Sequence, residues 1–324
     1  MINWGIIAPG RIANRFAEAF SVINDGRLYG VASRRRPNAE SFAKQHNITH
    51  VFDSYAELIN CPEIDVIYIA SPHQFHFDTA KQCLEAGKAV LCEKPLTVNA
   101  SQAKALFQIA KDNNVFLMEA LWSRFLPTWL EVKRWVEEGQ IGQLENIHST
   151  FGFKAERNYE DRLFNPKLAG GVLLDAGIYN ISLTQYLAKR EPQSISSHVF
   201  VGETKVDERC SATLDYGDFT SQFTCSFRSN LDNSMTIYGS DGKITIDGAF
   251  WDATKATLEV YGNDPIALNL PHEGSGFEYQ VREVQSCLRE GKLFSEVISP
   301  EQTIATLQLI DEILNKVNIK HPFS

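Results

Sequence analysis

Residues 5–16 read "GIIAPGRIANRF", a strand running through a small-residue loop into a helix. The apolar run from Trp4 to Ala8 has the composition of a buried strand, and from Arg11 onward the spacing becomes helical. Between them Ala8, Gly10 and Ala13 occupy the three small positions of the G-x-G-x-x-G/A fingerprint, with alanine where the first glycine is usual. A loop that leaves a strand and opens a helix offers free backbone N–H groups and the positive end of the helix dipole to a pyrophosphate. Gly10 lets phosphates approach the backbone, and Ala13 still permits close packing of helix on sheet. Ala8, Gly10, Arg11 and Ile12 are the expected contacts.

Outward from this loop, strand-like runs at Leu28–Ser33, Val51–Phe52, Val66–Ser71, Ala89–Cys92 and Val115–Met118 alternate with helical patterns at Asn38–Gln45, Tyr55–Ile59, Phe75–Ala86 and Ala100–Asp112. Such alternation predicts a doubly wound parallel sheet, an α/β Rossmann domain over 1–122. After Trp122 the pattern changes. Helical stretches at Leu130–Glu138 and Val172–Ala188 accompany a series of strand-like runs between Ile195 and Tyr261, separated by turns such as Tyr216-Gly217-Asp218 and Ser240-Asp241-Gly242. Helical patterns at Glu278–Arg289 and Pro300–Asn315 close the chain. Residues 123–324 are therefore expected to form an α+β substrate-binding and oligomerisation domain with a large, mostly antiparallel sheet.

Composition limits the partners. The 324 residues carry 31 basic and 40 acidic side chains, a net charge of −9, which supplies no general field for nucleic acid or anionic lipid. No run of about 18 apolar residues is present, so no membrane span is expected. Six scattered cysteines without a C-x-x-C pair fit reduced thiols in a cytoplasmic protein.

The second strand addresses cofactor choice. An NAD site usually ends this strand with an acidic residue that binds the ribose 2′-hydroxyl, but here "VASRRRP" places Ser33 and Arg34. A hydroxyl and a guanidinium suit a 2′-phosphate, so NADP(H) is expected over NAD(H), with Arg35 and Arg36 as possible helpers.

Chemistry is expected at "AVLCEKPLT", residues 89–97, where Lys94 leaves the fifth strand at the ligand-binding edge of the sheet and Pro95 restricts its backbone. A charged lysine beside a bound alcohol can hydrogen-bond the oxygen and ease deprotonation of a neighbouring acid–base group. That neighbour is expected in "AGGVLLDAGIYNISLTQYL", residues 169–187, where Asp175 and Tyr179 stand four apart on a helix of the second domain.

The stretches "GIIAPGRIA", "VASR", "IASPHQFH", "CEKPLT", "MEALWSRFLP" and "AGGVLLDAGIY" resemble, in order and spacing, the glucose-fructose oxidoreductase, inositol dehydrogenase and MocA (Gfo/Idh/MocA) family. The "LWSRFLP" and tyrosine version is most similar to the branch with dimeric dihydrodiol dehydrogenases and NADP-dependent xylose dehydrogenases. The resemblance implies hydride transfer between nicotinamide and a carbinol or carbonyl of a sugar, polyol or trans-dihydrodiol, in a homodimer built through the C-terminal sheet. By position it implies Lys94 as catalytic lysine, commonly followed by a cis proline, Tyr179 as acid–base residue where many members have histidine, and Asp175 as orienting carboxylate. Ser71, Pro72, His73, His76, Glu93 and Lys94 match positions beside the cofactor riboses. Trp122 and Arg124 match positions lining the nicotinamide and substrate pocket, with Phe153 and Arg162 as further pocket or cofactor candidates. A phenol, titrating near 10 when free, would rely on the positive charge of Lys94.

Two other functions share these features. A non-catalytic NADP-binding redox sensor needs the Rossmann domain but not Lys94, Asp175 and Tyr179 together. A redox-assisted glycoside hydrolase would use them without net cofactor turnover. The histidines His46, His50, His73 and His76 lack an accompanying H-E-x-x-H arrangement, so no metal site is expected.

Overall fold

The computed structural model describes residues 1–323 and divides into two compact units, Met1–Trp122 with His272–Ile304, and Ser123–Pro271 with Ala305–Phe323. The first holds six parallel strands: β1 (Ile2–Ile7), β2 (Gly26–Ala32), β3 (His50–Phe52), β4 (Val66–Ile69), β5 (Ala89–Glu93) and β6 (Leu117–Ala120). Their order is β3-β2-β1-β4-β5-β6, the doubly wound arrangement expected from the alternating pattern. Every residue of β4, β5 and β6 is buried, because helices cover both faces of a parallel sheet. Helices α1 (Arg11–Glu18), α2 (Arg36–His46), α3 (Tyr55–Ile59), α4 (His76–Glu85) and α5 (Ala100–Asp112) make the crossovers. Side-chain caps set two of their starts: Ser54 Oγ accepts from the Glu57 N–H at 3.1 Å, and Asn99 Oδ1 from the Gln102 N–H at 2.9 Å. The order reverses between β1 and β4, so their carboxyl ends form the switch point where such sheets take ligands.

The second unit contains α6 (Pro127–Glu137), α7 (Ile178–Ala188) and strands β7 (Leu144–Gly152), β8 (Ser194–Val201), β9 (Asp207–Asp215), β10 (Thr220–Ser226), β11 (Met235–Gly239), β12 (Gly242–Ile246), β13 (Lys255–Val260) and β14 (Ile266–Asn269). They form one sheet ordered β14-β13-β12-β11-β7-β10-β9-β8, antiparallel except for the parallel pair β7 and β10. The mostly antiparallel sheet matches the sequence expectation; β14, a short and largely exposed edge strand, was not anticipated. Helix α7 is buried nearly all round on one face of the sheet, with Asn180 Nδ2 donating to Ser149 Oγ at 2.8 Å and Thr184 bonded to Ser221 at 3.0 Å. The other face carries half-buried or exposed polar residues, among them His148, Thr150, Thr213, Gln222 and Thr224.

Two features differ from the sequence reading. Helix α8 (Glu278–Glu290), read as part of the second domain, packs in the first unit: Arg289 pairs with Asp25 and Arg282 Nη2 donates to the Val22 carbonyl at 3.4 Å. The helix read as continuous over Val172–Ala188 opens with a π-helical turn, Leu173–Gly177, so Asp175 and Tyr179 are not separated by one regular α-turn. No helix of the described residues is long and apolar enough to cross a membrane.

Candidate active site

In the first unit, Ala8 follows β1 with φ of 61°, the left-handed region where glycine is the usual occupant, and its N–H donates to Ala32 O at 3.0 Å. Gly10 precedes α1, and a Cβ built there would meet only the Ala8 carbonyl, at 4.0 Å, so the space in front of the helix N-terminus is open. The first turn of α1 has no acidic residue, Arg11 is exposed, and Ile12 is an exposed apolar residue over the same loop. These features fit a dinucleotide's phosphates. Ser33 and Arg34 come directly after β2. The Arg34 guanidinium lies over the Phe75 ring at 4.9 Å and next to Tyr55. Arg36, the suggested helper, is already engaged by Glu40 at 2.8 Å and by Asp53.

At the end of β4, Ser71 is buried and its hydroxyl has no hydrogen-bond partner among the described residues, so it can serve a ligand hydroxyl or phosphate. Pro72 and His73 follow on the half-buried surface. His76 is different: it is fully buried, with Nδ1 2.8 Å from the Pro95 carbonyl and Nε2 2.7 Å from the Ser71 carbonyl. Burial lowers its pKa from the usual histidine value, the two carbonyls oppose that, and the Lys94 charge reinforces it. Its ring therefore lies between the Ser71 loop and the Lys94–Pro95 segment.

Lys94 emerges half-buried from β5, and the Lys94–Pro95 bond is cis. Its segment is held on both sides, because the Leu96 N–H donates to Glu119 Oε1 at 2.9 Å while Glu119 Oε2 accepts from Thr303 Oγ1 at 2.9 Å. Glu93 is buried and accepts from the Tyr68 hydroxyl, and Tyr68 stacks on Phe16 at 3.7 Å. Burial raises its pKa to about 7 against the opposing effects of Tyr68 and Lys94. Trp122 is buried as well, stacked on Phe277 at 4.8 Å, with the Arg15 guanidinium 4.4 Å from its ring and 5.3 Å from that of Phe277.

In the second unit, Arg162 Nη1 donates to Asp175 Oδ1 at 2.9 Å, and the same guanidinium interacts electrostatically with Tyr179. The carboxylate raises the Arg162 pKa above its ordinary value, so the group is a fixed cation. Arg162, named from sequence among cofactor contacts, thus belongs with Asp175 and Tyr179. Sequence reasoning also passed over Phe151, which stacks on Trp251 with ring centres 3.5 Å apart and planes at 2°; Tyr179 lies 5.9 and 6.4 Å from these two rings. The turn carrying Trp251 is fixed by Ser123 Oγ donating to the Trp251 carbonyl at 2.5 Å and by Trp129 Nε1 donating to the Phe250 carbonyl at 2.7 Å. Phe153 packs on Phe227 at 5.3 Å. Arg124 is buried, with Nη2 donating to the Ser182 carbonyl at 2.6 Å and its guanidinium over Tyr186, contacts that brace α7. Among the described residues no group of three or more His, Cys, Asp and Glu side chains is arranged to hold a metal ion.

Residues 2–121 match the GFO_IDH_MocA family, described as oxidoreductases with an NAD-binding Rossmann fold, and 129–245 match the GFO/IDH/MocA C-terminal domain. The chain is 34% identical over 332 residues to a trans-1,2-dihydrobenzene-1,2-diol dehydrogenase of Xenopus tropicalis, covering 99% of both chains. It is 34% identical over 334 residues to that of Mus musculus, covering 99% of this chain and 98% of the relative. The fold is similar to aldose-aldose oxidoreductase from Caulobacter crescentus, with a TM-score of 0.88 at 22% identity over 97% of this chain and 96% of the other.

Proposed function

The chain belongs to the GFO/IDH/MocA oxidoreductase family, and from that premise we propose that it is an NADP(H)-dependent dehydrogenase of ring-shaped vicinal diols, a trans-dihydrodiol or the closed form of a sugar or polyol. The observation that carries this reading is the second unit's cluster: Tyr179 near the Arg162–Asp175 ion pair, flanked by the Phe151–Trp251 stack. An aromatic surface favours a flat or cyclic substrate, and the phenol is the group in that cluster able to exchange a proton with an alcohol. The dihydrodiol named in the relatives has both a ring and a vicinal diol.

In the proposed mechanism the carbinol hydroxyl donates to Tyr179, and Lys94 hydrogen-bonds the same oxygen. As the C–H bond breaks, Tyr179, reacting as its phenolate, takes the hydroxyl proton and becomes the phenol, while Lys94 stabilises the negative charge developing on the substrate oxygen. In reverse, Tyr179 returns the proton to that oxygen. Asp175, neutralised by Arg162, orients the diol through its second hydroxyl. Bound NADP(H) would supply the hydride acceptor or donor. Ala8, Gly10, Arg11 and Ile12 would hold its phosphates, Ser33 and Arg34 its 2′-phosphate, and Ser71 a ribose or phosphate oxygen. The polar face of the eight-stranded sheet, rich in small hydroxyl side chains, supports a homodimer formed through it, and the setting proposed for the enzyme is cytoplasmic.

An NADP(H)-coupled absorbance screen of trans-dihydrodiols, aldoses, anhydro-sugars, inositols and dicarbonyls tests this reading. Turnover is expected with cyclic diols or their ketones. Silence across all classes with NADPH still bound would favour the redox sensor, and cleavage of a glycoside without net change in NADPH would favour the hydrolase.

A further inference from the structure

We propose that Asp207 is a positioning residue that fixes the start of the catalytic helix and, through it, sets Asp175, Arg162 and Tyr179. This rests on the assignment of those three residues to the reacting site. Asp207 opens β9, and its carboxylate is almost completely buried. Oδ2 accepts from the Leu173 N–H at 2.7 Å, and the carboxylate also accepts from the backbone N–H of Val172 and from its own. Val172 and Leu173 are the first residues of the helical run that contains Asp175 in its π-turn and Tyr179 in α7. A helix N-terminus leaves such donors without partners inside the helix, and a buried carboxylate that accepts two of them holds that terminus at one point.

The same joint reaches Arg162. Gly171 has φ of +136°, and a Cβ there would lie 2.1 Å from Asp207 Oδ1, so only glycine lets the carboxylate approach. The Gly171 N–H donates to the Leu163 carbonyl at 3.0 Å and the Gly170 N–H to the Asn165 carbonyl at 3.0 Å. A Cβ at Gly170 would come within 2.9 Å of the Arg162 carbonyl. The strand start, the helix start and the segment carrying Arg162 therefore meet at one buried carboxyl group. A displacement at this joint moves the Arg162–Asp175 pair and Tyr179 together, and the burial of Asp207 argues against any direct contact with substrate.

The test compares Asp207→Asn and Asp207→Ala with wild type, using full-length protein at a temperature where circular dichroism shows each variant folded. Asn keeps one acceptor oxygen at nearly unchanged volume, so it decides the question if the alanine variant does not fold. We expect kcat to fall about 10- to 100-fold in Asp207→Ala and less in Asp207→Asn, with the NADPH dissociation constant unchanged. Hydrogen exchange of the peptide spanning 168–180 should rise in both variants while the strands of the sheet keep their protection. Turnover within about two-fold of wild type, with exchange at 168–180 unchanged or raised in step with the whole unit, would overturn the proposal and leave Asp207 a purely structural residue. Tyr179→Phe, measured alongside, separates the two levels: if it also turns over normally, the reading of the site has failed, and the exchange data alone decide whether Asp207 holds the helix start.

Discussion

Replacing Glu93 by glutamine should remove a pH-dependent cost that the fold carries. The carboxyl titrates ordinarily at 4.5 and is raised to about 7 in the folded chain by burial, against the opposing influence of the Tyr68 hydroxyl and the Lys94 charge. Below pH 4.5 the group is protonated in both folded and unfolded chains and contributes no pH dependence. Between 4.5 and about 7 the unfolded chain ionises freely while the folded one keeps its proton, so stability falls as pH rises and levels off once the folded group ionises. At about 1.4 kcal/mol per pH unit, this window corresponds to roughly 3 kcal/mol. Glutamine does not titrate and is nearly the same size, so the stability of Glu93→Gln minus that of wild type should become more positive by that amount between pH 4.5 and 7. Other titrating groups are common to both proteins and cancel. Urea unfolding at half-unit pH intervals, read through hydrogen exchange of the β5 peptide, measures the difference. A difference that stays flat across the window would show that Glu93 ionises at its ordinary pH and that its burial has been misjudged.

Arg34→Ala should raise the KM for NADP+ about 10- to 100-fold, the loss of one or two charge-assisted hydrogen bonds, and leave that for NAD+ nearly unchanged; equal effects on both in steady-state kinetics would remove Arg34 from the 2′-phosphate site. Trp251→Ala takes away the partner stacked on Phe151 and should raise KM for cyclic diols about ten-fold while affecting acyclic substrates little, a contrast readable in the same assay. Thr224→Arg puts a long charged side chain on the polar face of the eight-stranded sheet and should convert a dimer to monomers in sedimentation analysis. A wild-type monomer, or a variant that stays dimeric, would count against assembly through that face.

The Rossmann unit was legible because its physics is local. Val66–Ile69 and Ala89–Cys92 are buried on both faces, so they read as unbroken apolar runs, and the helices between them carry ordinary amphipathic spacing. Ala8 was legible as a departure from the fingerprint, but its left-handed backbone explains the usual preference for glycine only once seen. The π-turn at Leu173–Gly177 was hidden, since it changes the helix geometry without changing the apolar composition that suggests a helix. The Arg162–Asp175 pair joins a loop to a helix thirteen positions away, and no periodicity marks such a contact. Trp122, Arg124, His76 and Glu93 were picked out by residue type and position, while their burial depends on tertiary partners: Phe277 and Arg15, the Ser182 carbonyl, the Pro95 and Ser71 carbonyls, and Tyr68. Helix α8 follows the second unit's strands in sequence, and only the pairing of Arg289 with Asp25 and the bond from Arg282 to Val22 show where it packs.

In the proposed reaction, Tyr179 carries proton transfer and Lys94 oxyanion stabilisation during an NADP(H)-dependent dehydrogenation. The most direct measurement is kcat for Tyr179→Phe and Lys94→Ala on the best substrate of the screen, with NADPH binding followed by fluorescence titration of the same preparations. Both variants should lose about two to four orders of magnitude in kcat while binding NADPH as wild type does. Near-normal turnover in either variant would contradict the role given to that residue, and in both it would contradict the mechanism.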